Sequence, residues 1–282
     1  MQSIRTRNAY FIKRLLLLFL PLVVVLVFLL FPYYWTLVTS LKPNAELYST
    51  QVVYWPVHPT LSAYGKLFGE FNFLKPILNS FIVASATTVV SLTVSLLAAY
   101  SFSRFRYKGR KIFMVLFLTN NMFPTVLLLI PLFTIMRQIH ILYTPTALVL
   151  SYTTFTIPFS VWLLNGFLND LPMSLEEAAL VDGANRASAF IKIILPVLIP
   201  SLLATGVYIF MQSWNEYTFA VLFTNDFNRT VPVALKRLIG QFGVQWELLT
   251  AGGIITVIPV CLMFFFAQKR LVAGLTAGAV KG

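Results

Sequence analysis

The sequence predicts an all-α integral membrane protein with six transmembrane helices and both termini cytoplasmic. Three observations lead there. First, hydrophobic residues make up 58% of the 282 and charged ones only 11%, against about 25% charged in soluble domains. Mean hydropathy is +0.81. Second, the apolar residues fall in runs long enough to span a bilayer, separated by short polar segments. Third, the cations collect in those short segments. Six crossings put 14 Lys and Arg on the side of the N-terminus and 7 on the other. The positive-inside rule makes the richer side cytoplasmic.

The elements follow in order. Residues 1–14 carry Arg5, Arg7, Lys13 and Arg14 and no acid. The apolar run over 15–41 is longer than the ~7–15 residues of a signal-peptide core and ends in Pro32-Tyr33-Tyr34-Trp35 without a small-residue cleavage site. It reads as an uncleaved span with an interfacial aromatic end. Residues 42–75 form an external loop large enough for a small structure. The second span covers about 77–103. Its small residues Ala84, Thr88, Ser91, Ser95 and Ala98 share one face, where a helix of this chain or a partner subunit can approach closely. Arg104, Arg106, Lys108, Arg110 and Lys111 follow. An ordinary positive-inside anchor explains them, and nucleic acid is not expected. The third and fourth spans cover about 112–136 and 143–168, the fifth 196–223 and the sixth 248–267. A loop over 224–247 is external. Residues 268–282 form a cytoplasmic tail, and the whole of 1–282 reads as one transmembrane domain.

Several chemistries are missing. No G-x-x-x-x-G-K-[ST] loop, H-E-x-x-H or G-x-S-x-G occurs. The two histidines, His58 and His140, lie far apart, and the lone Cys261 excludes an internal disulfide or a cysteine metal cage. The chain is not expected to be an enzyme and needs no cofactor of its own. If transport here is energised by ATP, the ATPase is a separate chain.

The cytoplasmic segment 169–195 stands out. Four of the nine acids, Asp170, Glu176, Glu177 and Asp182, fall inside thirteen residues. Ser174-Leu175-Glu176-Glu177 fits a capping box after Pro172, and both glutamates favour the first turn of a helix. That helix runs over 175–182, and Gly183 allows a bend or left-handed cap. A second helical pattern, Ala184, Ala187, Ser188, Ile191, Ile194 and Leu195, leads into Pro196. Ala178 and Ala179 would let a partner surface approach. Spacing alone leaves a self-packed hairpin equally open.

The set Glu177, Ala178, Ala179, Gly183, Ile193, Leu195 and Pro196 resembles the E-A-A-x-x-x-G…I-x-L-P loop of permease subunits of binding-protein-dependent ABC importers. Asp182 also fits. Arg104-Phe105-x-Tyr107-x-Gly109-Arg110, Pro158-x-x-x-Trp162-Leu163-Leu164, Ser213-Trp214-Asn215-Glu216-Tyr217 and the tail 274–282 resemble the carbohydrate-uptake branch, in particular the six-span subunit of the maltose-type transporter. The resemblance implies a coupling helix between spans 4 and 5, seated on a cytoplasmic ATPase dimer that carries ATP and Mg. Glu176, Glu177 and Asp182 belong to that coupling loop. It also implies a second permease subunit, an extracytoplasmic solute-binding protein, a sugar cargo and a tail reaching the ATPases, with lipid around the spans.

Polar residues inside spans mark paths or packing. At ~1.5 Å per residue, Asn120 and Asn121 lie ~12–14 Å into the third span, and Gln212 ~18 Å into the fifth. Together with Trp214 and Asn215 they offer the amides and aromatic face that a sugar wants. The competing reading is a self-contained channel or secondary carrier for a small polar solute. Such proteins carry internal repeats or paired mid-membrane charges, and neither is seen here.

Overall fold

The computed structural model describes residues 2–240 and 243–279, with side chains for 17–120, 122–240, 243–266 and 268. The Asn121 side chain and residues 280–282, with the side chains of most of the tail, lie outside the described residues. Five helices are long and apolar enough to cross a membrane, and a bent pair of helices counts as a sixth if the pair forms one span. The chain divides into two compact units, 1–71 with 238–255 and 72–237 with 256–282.

The first unit holds α1 (Gln2–Ser40), α2 (Asn44–Leu47), α3 (Ser62–Gly69), a two-stranded hairpin of β1 (Ile239–Gly240) and β2 (Gly243–Val244), and the start of α13 (Trp246–Ala279). From Leu17 to Phe31 the α1 side chains are exposed and almost all apolar, a surface made for lipid or another subunit. The segment 42–71 is tied together by polar groups. Glu46 accepts from the Val57 and His58 N–H groups at 3.0 and 2.9 Å. Buried Lys42 donates to the Val53 carbonyl and sits 4.6 Å from the centre of the Trp35 ring. Ser40 Oγ and the Tyr64 hydroxyl are 2.8 Å apart.

The second unit is built on α4 (Leu74–Arg104), α7 (Pro145–Asp170) and α10 (Leu195–Trp214). The small-residue face of α4 packs against α7 of the same chain. Ser80, Ala84, Thr87, Ser91, Ser95 and Ala99 are buried along it. Ser91 Oγ meets Thr156 Oγ1 at 2.8 Å, and Ser95 donates to the Ile157 carbonyl at 3.3 Å. Most other hydroxyls on α7 bond back to their own helix, as polar groups do where water is absent. Gly206 brings α10 against α4. A Cβ there would lie 3.1 Å from Leu92 Cδ1.

Two expected spans are interrupted. The third, expected unbroken over 112–136, is α5 (Arg110–Met122), a 3₁₀ turn (Thr125–Leu128) and α6 (Leu129–Gln138), bent by 96°. Pro124 forces Phe123 out of the helical region, to φ −77° and ψ 130°. The fifth, expected to reach residue 223, ends at Trp214 and resumes as α11 (Ala220–Phe223). Asn215 Nδ2 donates to the Met211 carbonyl at 2.9 Å, and the Glu216 carboxylate accepts from the Phe219 and Ala220 N–H groups at 2.9 and 3.1 Å. These polar groups stand in for the next helical turn. The loop beyond carries α12 (Val231–Arg237) and is pinned to α4 by Asn79 Nδ2 to Arg229 O (3.0 Å) and Val231 N to Ser80 Oγ (2.8 Å). The last helix runs on to Ala279, through most of the stretch expected as a tail.

Candidate functional site

The loop after α7 begins with α8 (Ser174–Val181). Met173 occupies the N-cap and no side chain caps the helix, so the expected Ser174 capping box does not form. Ser174 is the first helical residue instead. Glu177, three residues on, is exposed, and Glu176 points into the protein. Its carboxylate takes the Tyr100 hydroxyl proton donor and pairs with Arg104 Nε at 3.2 Å, the two side chains being 10% and 5% exposed. Arg104 also donates to the Leu171 carbonyl at 3.3 Å, and Ser103 donates to Asn169 Oδ1 at 2.9 Å. The end of α4 therefore grips both the end of α7 and the first turn of α8.

The other side of α8 is open. Glu176 and Ala179, three apart, are buried. Leu175, Glu177, Ala178, Leu180, Val181 and Asp182 face outward, with Val181 87% exposed. Gly183 ends the helix at φ +86°. The Ala184 N–H reaches the Ala179 carbonyl at 3.0 Å and the Gly183 N–H reaches that of Leu180 at 3.1 Å. This is a Schellman cap, whose left-handed residue is ordinarily glycine.

Beyond the bend, Asn185 caps α9 (Arg186–Ala189) by accepting from the Ser188 N–H at 2.8 Å. A π turn over Phe190–Ile194 leads into α10. Its Leu195 N–H reaches back five residues to Phe190. Pro196 has no N–H for the regular bond to residue 192, and a π turn absorbs that loss. The wider turn also breaks the expected apolar face. Ile191 is exposed and Ala187 with it, whereas Ala189 and Ile194 are buried. Ile194 joins Ala99, Leu164, Leu168 and Leu198 in one cluster, flanked by half-buried Ile193 and Leu195. The Tyr100 ring lies 4.6 Å from that of Phe190, and the Arg186 guanidinium lies 5.2 Å from the Phe105 ring.

The residues named for a path are dispersed. Asn120 lies just before the break after α5 and donates to the Thr154 carbonyl at 3.1 Å. It lines an open cavity of about 430 Å³ with Phe113, Phe117, Thr153, Thr154 and Pro158. Gln212 and Asn215 are exposed on and after α10. Trp214 is 1% exposed, stacked on Phe210 at 5.7 Å, and its indole N–H has no acceptor among the described residues. Glu216 is neither free nor a surface contact. Burial pushes its carboxyl above the usual carboxylate value, while the N–H groups of Phe219 and Ala220 and the Tyr152 hydroxyl pull it back. Reading the sequence missed Tyr100 and Arg104 as holders of the loop. The charge cluster hid Arg104 among cations that serve topology. Asn185 before a short helix was the legible signal for its cap.

The sequence family described as "Binding-protein-dependent transport system inner membrane component" matches residues 91–277. The sulfoquinovosyl glycerol transport permease SmoH of Agrobacterium fabrum is 37% identical over 254 residues, 90% of this chain and 89% of that one. The trehalose/maltose transport permease MalG of Thermococcus litoralis is 35% identical over 96% of this chain and 98% of its own. The diacetylchitobiose uptake permease DasC of Streptomyces coelicolor is 34% identical, covering 92% and 95%. In fold, the chain is similar to a solved bacterial ABC transporter for alginate import, with TM-score 0.76, 23% identity and coverage of 94% and 97%. The protein belongs to the inner membrane components of binding-protein-dependent transport systems, a multi-pass membrane family.

Proposed function

We propose that this chain is one transmembrane half of an ATP-driven importer for sugars or sugar-derived solutes, with both termini cytoplasmic. The cargo class rests on the three named relatives, each a permease of a carbohydrate or carbohydrate-conjugate system. The observation that carries the mechanism is α8, held on one side by Arg104 and Tyr100 and bare on the other. An exposed valine beside two exposed leucines and a carboxylate suits a mixed apolar and polar cleft on a soluble subunit. That subunit is a cytoplasmic ATPase dimer, which brings ATP and Mg. Glu177 meets a polar or basic group there, and Leu175, Ala178 and Val181 fill the cleft.

Movement of the ATPases pulls α8. Glu176 passes the pull to Arg104 at the end of α4, and the π turn passes it to α10. Both helices pack on α7, so the spans move as a set between inward-open and outward-open states. A second permease subunit completes the path, and a solute-binding protein delivers cargo from outside. On this side of the path, Asn120 engages its Nδ2, makes no hydrogen bond through Oδ1 among the described residues, and shares its cavity with Thr153 and Thr154. Gln212, Asn215 and the orphan N–H of Trp214 are further polar groups for cargo in another state, since a buried donor without an acceptor costs ~1–3 kcal/mol.

The test is uptake into proteoliposomes. The chain with its partner permease, ATPase and binding protein imports a labelled sugar only with ATP. Equal uptake by this chain alone, without ATP, would instead make it a carrier or channel.

A further inference from the structure

The cations between α4 and α5 do more in the structure than set topology. Arg104 is committed to Glu176 and the Leu171 carbonyl. The other four, Arg106, Lys108, Arg110 and Lys111, make no ion pair and no side-chain hydrogen bond among the described residues. They line one open concavity of about 730 Å³ together with Tyr107, Gly109 and Ile112. Gly109, at φ +88°, turns the chain so that cations before and after it border the same space. Arg110 is half-buried there without an acid to balance it.

The surroundings say what fills the space. From Ile112 the chain continues with Ile112 and Val115 exposed, three residues apart and so on one face of α5, while the neighbouring Phe113 and Leu116 line the Asn120 cavity. A ligand seated here therefore touches four cations at one end and hydrocarbon at the other. Phe105 and Tyr107 beside the cations are exposed, and Tyr107, a residue type common at membrane interfaces, lines the concavity. Of the four acids over 169–195, Glu176 is paired with Arg104, and Asp170, Glu177 and Asp182 are exposed with no ion pair among the described residues.

We propose that this concavity is a binding site for the phosphate headgroup of an anionic phospholipid, with an acyl chain lying along α5. Arginine and lysine together suit a phosphodiester, the guanidinium by its planar fork and the ammonium as a point charge. Juxtamembrane cations are attracted to anionic lipid, so four in one concavity select anionic over zwitterionic lipid. The concavity lies at the same end of α4 as α8. Lipid seated there would brace the corner from which Arg104 holds the coupling loop. The binding claim itself does not depend on the transport reading.

The experiment is native mass spectrometry of the purified full chain in detergent, titrated with phosphatidylglycerol or phosphatidylcholine of the same acyl chains. Wild type retains phosphatidylglycerol about tenfold better. Arg106→Gln with Lys108→Gln loses most of that preference and leaves three cations to maintain topology. Lys66→Gln with Lys75→Gln, which removes two cations elsewhere, keeps it. Arg110→Lys, which preserves charge, keeps a reduced preference and guards against misfolding of the double variant. Equal retention of the two lipids by wild type, or an unchanged preference in the double variant, would overturn the proposal. Competition by millimolar inorganic phosphate would assign the site to a soluble anion. A double variant that keeps its lipid preference but no longer copurifies with the ATPase would assign the cations to that protein.

Discussion

Glu176 and Glu177 are adjacent, chemically identical and opposite in role. Glu176 is spent inside the chain on Tyr100 and Arg104, while Glu177 is offered to the outside. One step of 100° around a helix is enough to separate them. Breaking a buried ion pair from one side leaves the other charge stranded and costs ~3–5 kcal/mol, whereas replacing both partners by apolar groups is often near neutral. Glu176→Leu alone should therefore lower the melting temperature in detergent sharply. Adding Arg104→Met to it should restore most of the loss. Independent, additive losses would show that the pair is not coupled. The sequence placed both glutamates in the loop correctly, but nothing in it said which one faced inward. That depends on the angle at which α8 leaves α7, and Arg104 sets that angle from 72 residues away in the chain.

At the scale of elements, apolar run length found the spans because the bilayer imposes a length on every crossing. What it could not find were the places where polar backbone is satisfied irregularly. Pro124, Pro196 and Glu216 were all visible, yet each can sit in an intact helix as well as end one. The outcome depends on neighbours that are distant in sequence. The close approach of α4 and α10 at Gly206 is another such contact. Gly206→Leu places a branched side chain where a Cβ alone already presses on Leu92. Overpacking of this kind costs ~1–3 kcal/mol. Such a variant should melt earlier and insert normally, and Leu92→Ala should relieve it. A melting temperature equal to wild type would mean that the two helices are not held at this distance.

Across the whole molecule, the segment around α8 lies outside the spans and is fastened to three of them at once. It touches α4 through Arg104 and Tyr100, α7 through Leu171 and the cluster around Leu168, and α10 by direct continuation. On the proposed reading, that arrangement converts a push on α8 into a shift of helices, with the force supplied by a separate ATPase. Fold and family were legible in the sequence because the E-A-A-x-x-x-G pattern is specific and the apolar runs are long enough to span. The path residues remain part of the proposal: Trp214 is packed against Phe210, and Thr153 and Thr154 share a cavity with Asn120.

The central claim is that the outward face of α8 receives the work of ATP hydrolysis. The direct measurement is the Glu177→Lys variant in the fully assembled complex, in proteoliposomes, with ATP hydrolysis and cargo uptake read together. The account predicts an inserted chain whose uptake falls at least tenfold and whose partner ATPases no longer respond to loaded binding protein. Wild-type uptake at a wild-type ratio of cargo to ATP would contradict it.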